Sequence, residues 1–182
     1  MAEKKNLRLF FALWPTAAVR AQLAAAAQSY ASCGRAIAPR NLHITLVFLG
    51  AVAQARLAAV LDAAQSMQKL TFDGKFSVHL DAVELWRRSS LICLTAGQTP
   101  PELLRIVGQL GAELRERGLE LREHETFRPH VTLVRDVARG SKVAGAASVR
   151  WPVESFALVE SKVGQRGSEY TVLEQWRLTL KA

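Results

Sequence analysis

Hydrophobic and polar positions along the chain follow two rhythms, one of period two and one near 3.6. The apolar run over 7–14 is broken only by Arg8 and closed by Pro15, which predicts a buried first strand. Pro15-Thr16 then opens an Ala-rich stretch to about residue 31. Proline suits a first helical turn and alanine has the highest helix propensity, so a helix is predicted there. Gly34 and Pro39 break it. A second strand is predicted over 42–49, ended by Gly50. A second helix is predicted over 54–67, where Leu57, Val60 and Leu61 recur at helical spacing.

The second half has a related rhythm. Residues 76–85 and 91–95 alternate or run apolar, as strands do. Pro100-Pro101 introduces a helix to about residue 117, with Leu103, Leu104, Val107, Leu110 and Leu114 along one face and Gly118 as its stop. A short strand over 130–134 precedes a Gly/Ala/Ser loop over 139–147. Two long strands, 149–163 and 170–180, follow, with a hairpin turn predicted over 164–168. Strands and helices mix without strict βαβ alternation, and neighbouring strands can pair as hairpins. The pattern predicts an α+β fold with antiparallel sheets. Neither nucleotide-binding Gly-rich pattern is present.

Composition narrows the class. The 182 residues are 49% hydrophobic and 22% charged, as in ordinary globular domains, which excludes a disordered, collagenous or disulfide-stapled chain. Lys and Arg number 24 against 16 Asp and Glu, a formal charge of +8 that favours a polyanionic partner, nucleic acid first. Cys33 and Cys93 stand far apart, giving neither a zinc motif nor a disulfide framework, so a cytoplasmic location is expected. The uncharged stretch starting at Ala21 is too short and too polar to cross a bilayer, so no membrane partner is expected. Lys4 and Lys5 before the first apolar run imitate a signal peptide, but Arg8 and Pro15 make it a strand.

The chemistry lies in an internal repetition. Asn41-Leu42-His43-Ile44-Thr45-Leu46-Val47 and Arg128-Pro129-His130-Val131-Thr132-Leu133-Val134 both read His, β-branched aliphatic, Thr, Leu. Strand side chains alternate, so His43 and Thr45 share one face, and His130 and Thr132 do likewise, while the aliphatic residues take the other. A lone His-x-Thr is ordinary strand polarity; its recurrence points to function. Imidazole titrates near neutral pH, so one histidine can accept a proton while the other donates one. Flanking a phosphorus, the two suit in-line displacement, and the threonine hydroxyls can donate to the non-bridging oxygens. This scheme calls for no metal and no cofactor.

With Phe10-Phe11-Ala12-Leu13 upstream, Phe48-Leu49-Gly50 after the first motif, and Phe127 and Arg135 flanking the second, the chain resembles the 2H phosphoesterase superfamily. Within it, the chain is most similar to the bacterial RNA 2′,3′-cyclic phosphodiesterases, also called 2′-5′ RNA ligases. The resemblance implies a single 1–182 domain, bilobal, with two antiparallel sheets in pseudo-two-fold symmetry around a central cleft and helices on the outer faces. Each lobe then gives one His-x-Thr-x strand, 43–46 and 130–133. It implies metal-independent hydrolysis of RNA 2′,3′-cyclic phosphate ends to 2′-phosphomonoesters, with reversible 2′-5′ joining. By the family's assignment His43 is the proton donor and His130 the proton acceptor, while Thr45 and Thr132 bind phosphate. Phe48 and Arg135, each five residues after a motif histidine, match the family's base-contacting aromatic and arginine. Strict alternation puts both on the face opposite the histidines, so the carry-over needs the strand to end or bulge, which Gly50 permits after Phe48.

Other features weigh less. His79 and Asp81, or His124 with Glu123 and Glu125, match no common ligand spacing. Ser89-Ser90 lacks a nucleophile elbow. Lys4-Lys5 and Arg87-Arg88 read as solvated faces, and Trp14, Trp86, Trp151 and Trp176 as core or interface residues. Arg40 directly precedes the first motif strand and is a candidate phosphate contact that the sequence alone does not place. The expected partner is an RNA 3′ end or nucleotide bearing a 2′,3′-cyclic phosphate, and the expected state a monomer. The alternatives are the same site acting on a small nucleotide cyclic phosphate, and a non-catalytic RNA-binding module.

Overall fold

The computed structural model describes residues 6–121, 126–143, 145–164 and 167–181. Strand β1 (Asn6–Leu13) leads through helix α1 (Ala17–Gln28) and the short β2 (Arg35–Ala36) to β3 (Ile44–Ala53). Helix α2 (Leu57–Ser66) precedes β4 (Thr71–Phe72), β5 (Phe76–Leu80), β6 (Ala82–Trp86) and β7 (Leu91–Thr95). Helix α3 (Pro101–Glu116) leads to β8 (His130–Arg135). The chain then adds β9 (Val149–Val153), β10 (Ser155–Gly164), β11 (Gly167–Arg177) and β12 (Thr179–Leu180). No helix among the described residues is long and apolar enough to cross a membrane.

Two four-stranded antiparallel sheets dominate, ordered β11-β10-β1-β3 and β2-β8-β7-β6. An antiparallel β5-β9 pair and a parallel β4-β12 pair complete the fold. The α+β class and the two antiparallel sheets agree with the sequence reading. The halves share a plan: a strand, a helix, then a motif strand antiparallel beside the first, as β1-α1-β3 and β7-α3-β8. The helices cross between halves, α1 lying against β8 and β9, α3 against β3 and α2.

Local chemistry accounts for the helices. Thr16 caps α1, its hydroxyl accepting the Val19 N–H at 3.4 Å. Helix α3 starts at Pro101 and buries Leu103, Ile106, Leu110 and Leu114, while Leu104, expected on the same face, is 47% exposed. One large core joins both halves and takes in Leu9, Phe11, Leu13, Leu42, Ile44, Val131 and Leu133. Each such side chain contributes about 1.5–3 kcal/mol on leaving water. On the opposite face of the first sheet a smaller cluster of Phe10, Ala12, Ala157 and Val159 forms the floor on which the site is built.

Several strand boundaries differ from the expectation. The strand expected over 76–85 breaks at Asp81, whose carboxylate accepts the Gly97 N–H at 2.9 Å, and its halves join different sheets. The strand expected over 149–163 breaks at Glu154, whose carbonyl accepts the Leu178 N–H at 2.8 Å. Apolar residues continue on both sides of each break, so the hydrophobic pattern runs through without a mark. Strand β3 does not stop at Gly50 but continues to Ala53, with Gly50 at φ +70°. Strands β10 and β11 stay paired to Gly164 and Gly167. Gly164, Gly167 and Ser168 of the expected turn thus belong to the strands, and its residues 165–166 lie outside the described residues.

Candidate active site

Both motif strands depart from simple alternation at equivalent places. In β3, Ala12 lies opposite Thr45, Phe11 opposite Val47 and Phe10 opposite Phe48, so Leu46 is an extra residue. In β8, Thr95 lies opposite His130, Cys93 opposite Thr132 and Ile92 opposite Val134, so Leu133 is extra. Each bulge falls three residues after a motif histidine. An extra residue reverses the phase of alternation beyond it, and cross-strand partners share a face. Phe48 and Arg135 therefore turn onto the same side as the histidines. This corrects the strict alternation that set them on the opposite face, and it happens inside the motif rather than at Gly50.

His43 stands just before β3, its ring held on several sides. Its Nδ1–H donates to the Asn41 carbonyl at 2.6 Å, and its Nε2 lies 3.1 Å from the Thr45 hydroxyl. Trp14 stacks on the imidazole at 5.8 Å, Phe10 lies at 4.9 Å, and Tyr170 meets it edge-on at 5.2 Å. Burial among these rings pushes the His43 pKa down to about 4, opposed by the Asn41 hydrogen bond and assisted by the charges of His130 and Arg135. A free site at neutral pH thus carries His43 as the neutral imidazole, with Nε2 as its unprotonated nitrogen.

His130 opens β8 under different constraints. Its Nδ1–H donates to the Arg128 carbonyl at 2.8 Å, the same two-residue reach that His43 makes to Asn41. Trp86 packs on its ring at 4.6 Å. Behind them sits Glu84, which accepts from the Trp86 indole at 3.0 Å, the Thr95 hydroxyl at 3.1 Å and the Arg128 guanidinium. The Trp86 and Arg128 hydrogen bonds outweigh desolvation and hold the Glu84 carboxyl below its usual range. Burial also lowers the His130 pKa, with the Arg128 charge adding to the effect and the carbonyl bond opposing it. The Cys93 thiol points at the Thr132 oxygen from 4.0 Å, and burial raises its pKa to about 11. It stays protonated near neutral pH.

Both histidines, both motif threonines, Phe48 and Arg135 line one cleft of about 620 Å³. Arg8, Arg35 and Arg40 line it as well, with no acidic side chain among the described lining residues. A second groove of about 550 Å³ meets the cleft at Thr45, Phe48 and His130. His43 lines the first cavity, whereas His130 lines both. Arg8 lies over the Phe48 ring at 5.0 Å, a cation–π contact that orients the ring's far face.

Sequence reasoning missed Phe10, Trp14, Asn41, Glu84, Trp86 and Tyr170. The signal was slight, because Trp14 and Trp86 sit at strand ends where core and site residues look alike. Among the described residues no cluster of three metal-ligating side chains occurs. His79 is exposed opposite Arg150 at the β5-β9 pair, and His124 with Glu123 and Glu125 lies outside the described residues.

The model of the 2′-5′ RNA ligase superfamily matches residues 13–165, a span that contains both motif strands. The chain belongs to this superfamily. Across 176 residues it is 31% identical to the RNA 2′,3′-cyclic phosphodiesterase of Escherichia coli (strain K12), covering 94% of this chain and 97% of that one. It is 30% identical across 181 residues to the RNA 2′,3′-cyclic phosphodiesterase of Thermus thermophilus, covering 94% and 90%. The crystal structure of apo E. coli LigT aligns with a TM-score of 0.81 at 28% identity, over 96% of this chain and 99% of that one. LigT complexed with 3′-AMP aligns with a TM-score of 0.79 at the same identity and coverage.

Proposed function

We propose that this superfamily member is a cytoplasmic enzyme, a single two-lobed 1–182 domain acting as a monomer. It hydrolyses RNA 3′ ends bearing a 2′,3′-cyclic phosphate to 2′-phosphomonoesters and joins 2′-5′ linkages in the reverse sense. His130 Nε2 takes the proton of the attacking water, and His43 Nε2 delivers one to the departing ribose O3′. Thr45 and Thr132 donate to the non-bridging oxygens, where charge develops. Phe48 and Arg135 hold the base between an aromatic face and a guanidinium plane, a contact that suits any base. The protein's own residues supply both proton transfers, so no metal or cofactor enters this scheme.

The observation that carries the reading is the pair of histidines on one basic cleft, each with Nδ1–H tied to a backbone carbonyl. That bond leaves Nε2 as the working nitrogen on both sides. The division of labour has support of its own. In-line displacement puts nucleophile and leaving group on opposite sides of phosphorus. His130 borders both cavities and can meet a nucleophile arriving from the second, whereas His43 borders the cleft that takes the ribose. A neutral His43 becomes a donor when the anionic phosphate enters and raises its proton affinity, so binding is accompanied by proton uptake.

The test is phosphorus NMR of adenosine 2′,3′-cyclic phosphate with the purified protein in excess EDTA. Wild type is expected to yield adenosine 2′-phosphate, while His43→Ala and His130→Ala leave the substrate intact. An intact substrate with folded wild type, repeated on a short RNA with a cyclic end, overturns the reading. Retained RNA affinity without turnover would then favour the binding module.

A further inference from the structure

The second groove is lined on one side by β3 and on the other by α3 and the approach to β8. Its walls are unlike those of the catalytic cleft: Val47, Val107, Trp86 and Phe127 make it largely apolar, with Arg115 and Arg128 among its lining. No acidic side chain is among the described lining residues. At about 550 Å³ it is far larger than a water nucleophile needs, and it opens on the catalytic cleft at Thr45, Phe48 and His130. Apolar, aromatic walls around a volume this large go beyond what admitting a water requires. Planar apolar walls with guanidinium groups instead match a nucleobase and the phosphates of its strand.

We propose that this groove binds the nucleoside at the 5′ end of a second RNA strand, presenting its 5′-hydroxyl to His130. The inference rests on the phosphodiesterase reading and extends it. In the joining direction the 5′-oxygen attacks phosphorus, forming the P–O5′ bond while the P–O3′ bond breaks. The 5′-hydroxyl proton passes to His130 Nε2, and His43 gives its proton to O3′. The products are a 2′-5′ phosphodiester and a free 3′-hydroxyl, so atoms and charge balance without a co-reactant. Cleavage of a 2′-5′ linkage is the same path reversed, with the leaving nucleoside in the groove. The two cavities thus divide the dinucleotide, the basic cleft taking the strand that carries the phosphate.

Gly108 provides a clean way to close the groove. It lines the groove on α3, and a Cβ added there meets no atom within 4 Å. Gly108→Leu fills the space, and a larger side chain in a helix favours the fold rather than opposing it. The experiment compares wild type, Gly108→Ala and Gly108→Leu on adenosine 2′,3′-cyclic phosphate and on adenylyl-2′,5′-adenosine. In Gly108→Leu, kcat/KM for 2′-5′ cleavage is expected to fall roughly tenfold to a hundredfold, with cyclic phosphate hydrolysis within about twofold and Gly108→Ala intermediate. Equal losses on both substrates, or none on either, overturn the proposal. So does a wild type that hydrolyses the cyclic phosphate but leaves the dinucleotide intact. A wild type inert toward both overturns the parent reading instead.

Discussion

The two motif strands share a local grammar and differ in what surrounds them. β3 and β8 each follow a histidine whose Nδ1–H bonds the carbonyl two residues earlier, or begin with it, and each carries a bulge three residues after it. Those shared features aim two Nε2 atoms at one cleft. The surroundings then separate the pair. His43 is packed by Trp14, Phe10 and Tyr170, while His130 meets Trp86 over a Glu84–Arg128 ion pair. Identical backbone devices set geometry, and unlike neighbours set proton affinity. Acid/base catalysis needs both, because two equal histidines would compete for one role.

The most severe way to break the comparison is to remove each histidine in turn. Each Ala variant is expected to lose roughly 10²–10⁴ in kcat, and each to abolish a different limb of the bell-shaped pH profile. Loss of the same limb in both variants would show that the sites are not divided as proposed.

Next comes the effect of acid on stability. His43 has a folded pKa of about 4 against 6.5 in the unfolded chain, so between those values the unfolded state binds more protons. The stabilisation is complete above pH 6.5 and disappears as pH falls to about 4, a loss on the order of 3 kcal/mol. Urea melts at pH 4.5 and 7 should show this loss in wild type and much less of it in His43→Phe.

A third test disturbs the β8 side alone. A Cβ at Gly34 would stand 2.5 Å from the Arg135 carbonyl, where β2 runs against β8. Gly34→Ala is expected to cost about 2 kcal/mol by overpacking and to weaken nucleotide binding by displacing Arg135. Denaturant melts and a KM measurement check both effects.

The smallest effect concerns Glu84, which acts through Trp86 and Arg128 and touches no reacting atom. Glu84→Gln keeps the shape but loosens the grip on Arg128, whose carbonyl orients His130. A drop in kcat of about tenfold is expected, equivalent to about 1.4 kcal/mol, with a shift confined to the His130 limb of the pH profile. An unchanged profile would reduce Glu84 to a purely structural role.

Much of this was legible in the chain. Leu9, Phe11 and Leu13 announced β1, Ala-rich and Leu-periodic stretches announced α1 and α3, and the repeated His-x-Thr marked the site. The breaks at Asp81 and Glu154 were not legible, since apolar residues continue on both sides and only long-range hydrogen bonds mark the turns. Nor were the bulges at Leu46 and Leu133. Each is an ordinary aliphatic residue that becomes extra only against the register of its neighbouring strand.

The sequence by itself determined the element types, the two motif histidines and the basic charge that favours a polyanionic partner, because these follow from local periodicity, side-chain chemistry and net charge. Only the tertiary structure decided that Phe48 and Arg135 face the cleft, that three aromatic rings enclose His43, and that Glu84 lies behind His130. The reason is physical. Register and burial are relations between segments distant in sequence, and a histidine's proton affinity depends on what the rest of the chain packs against it.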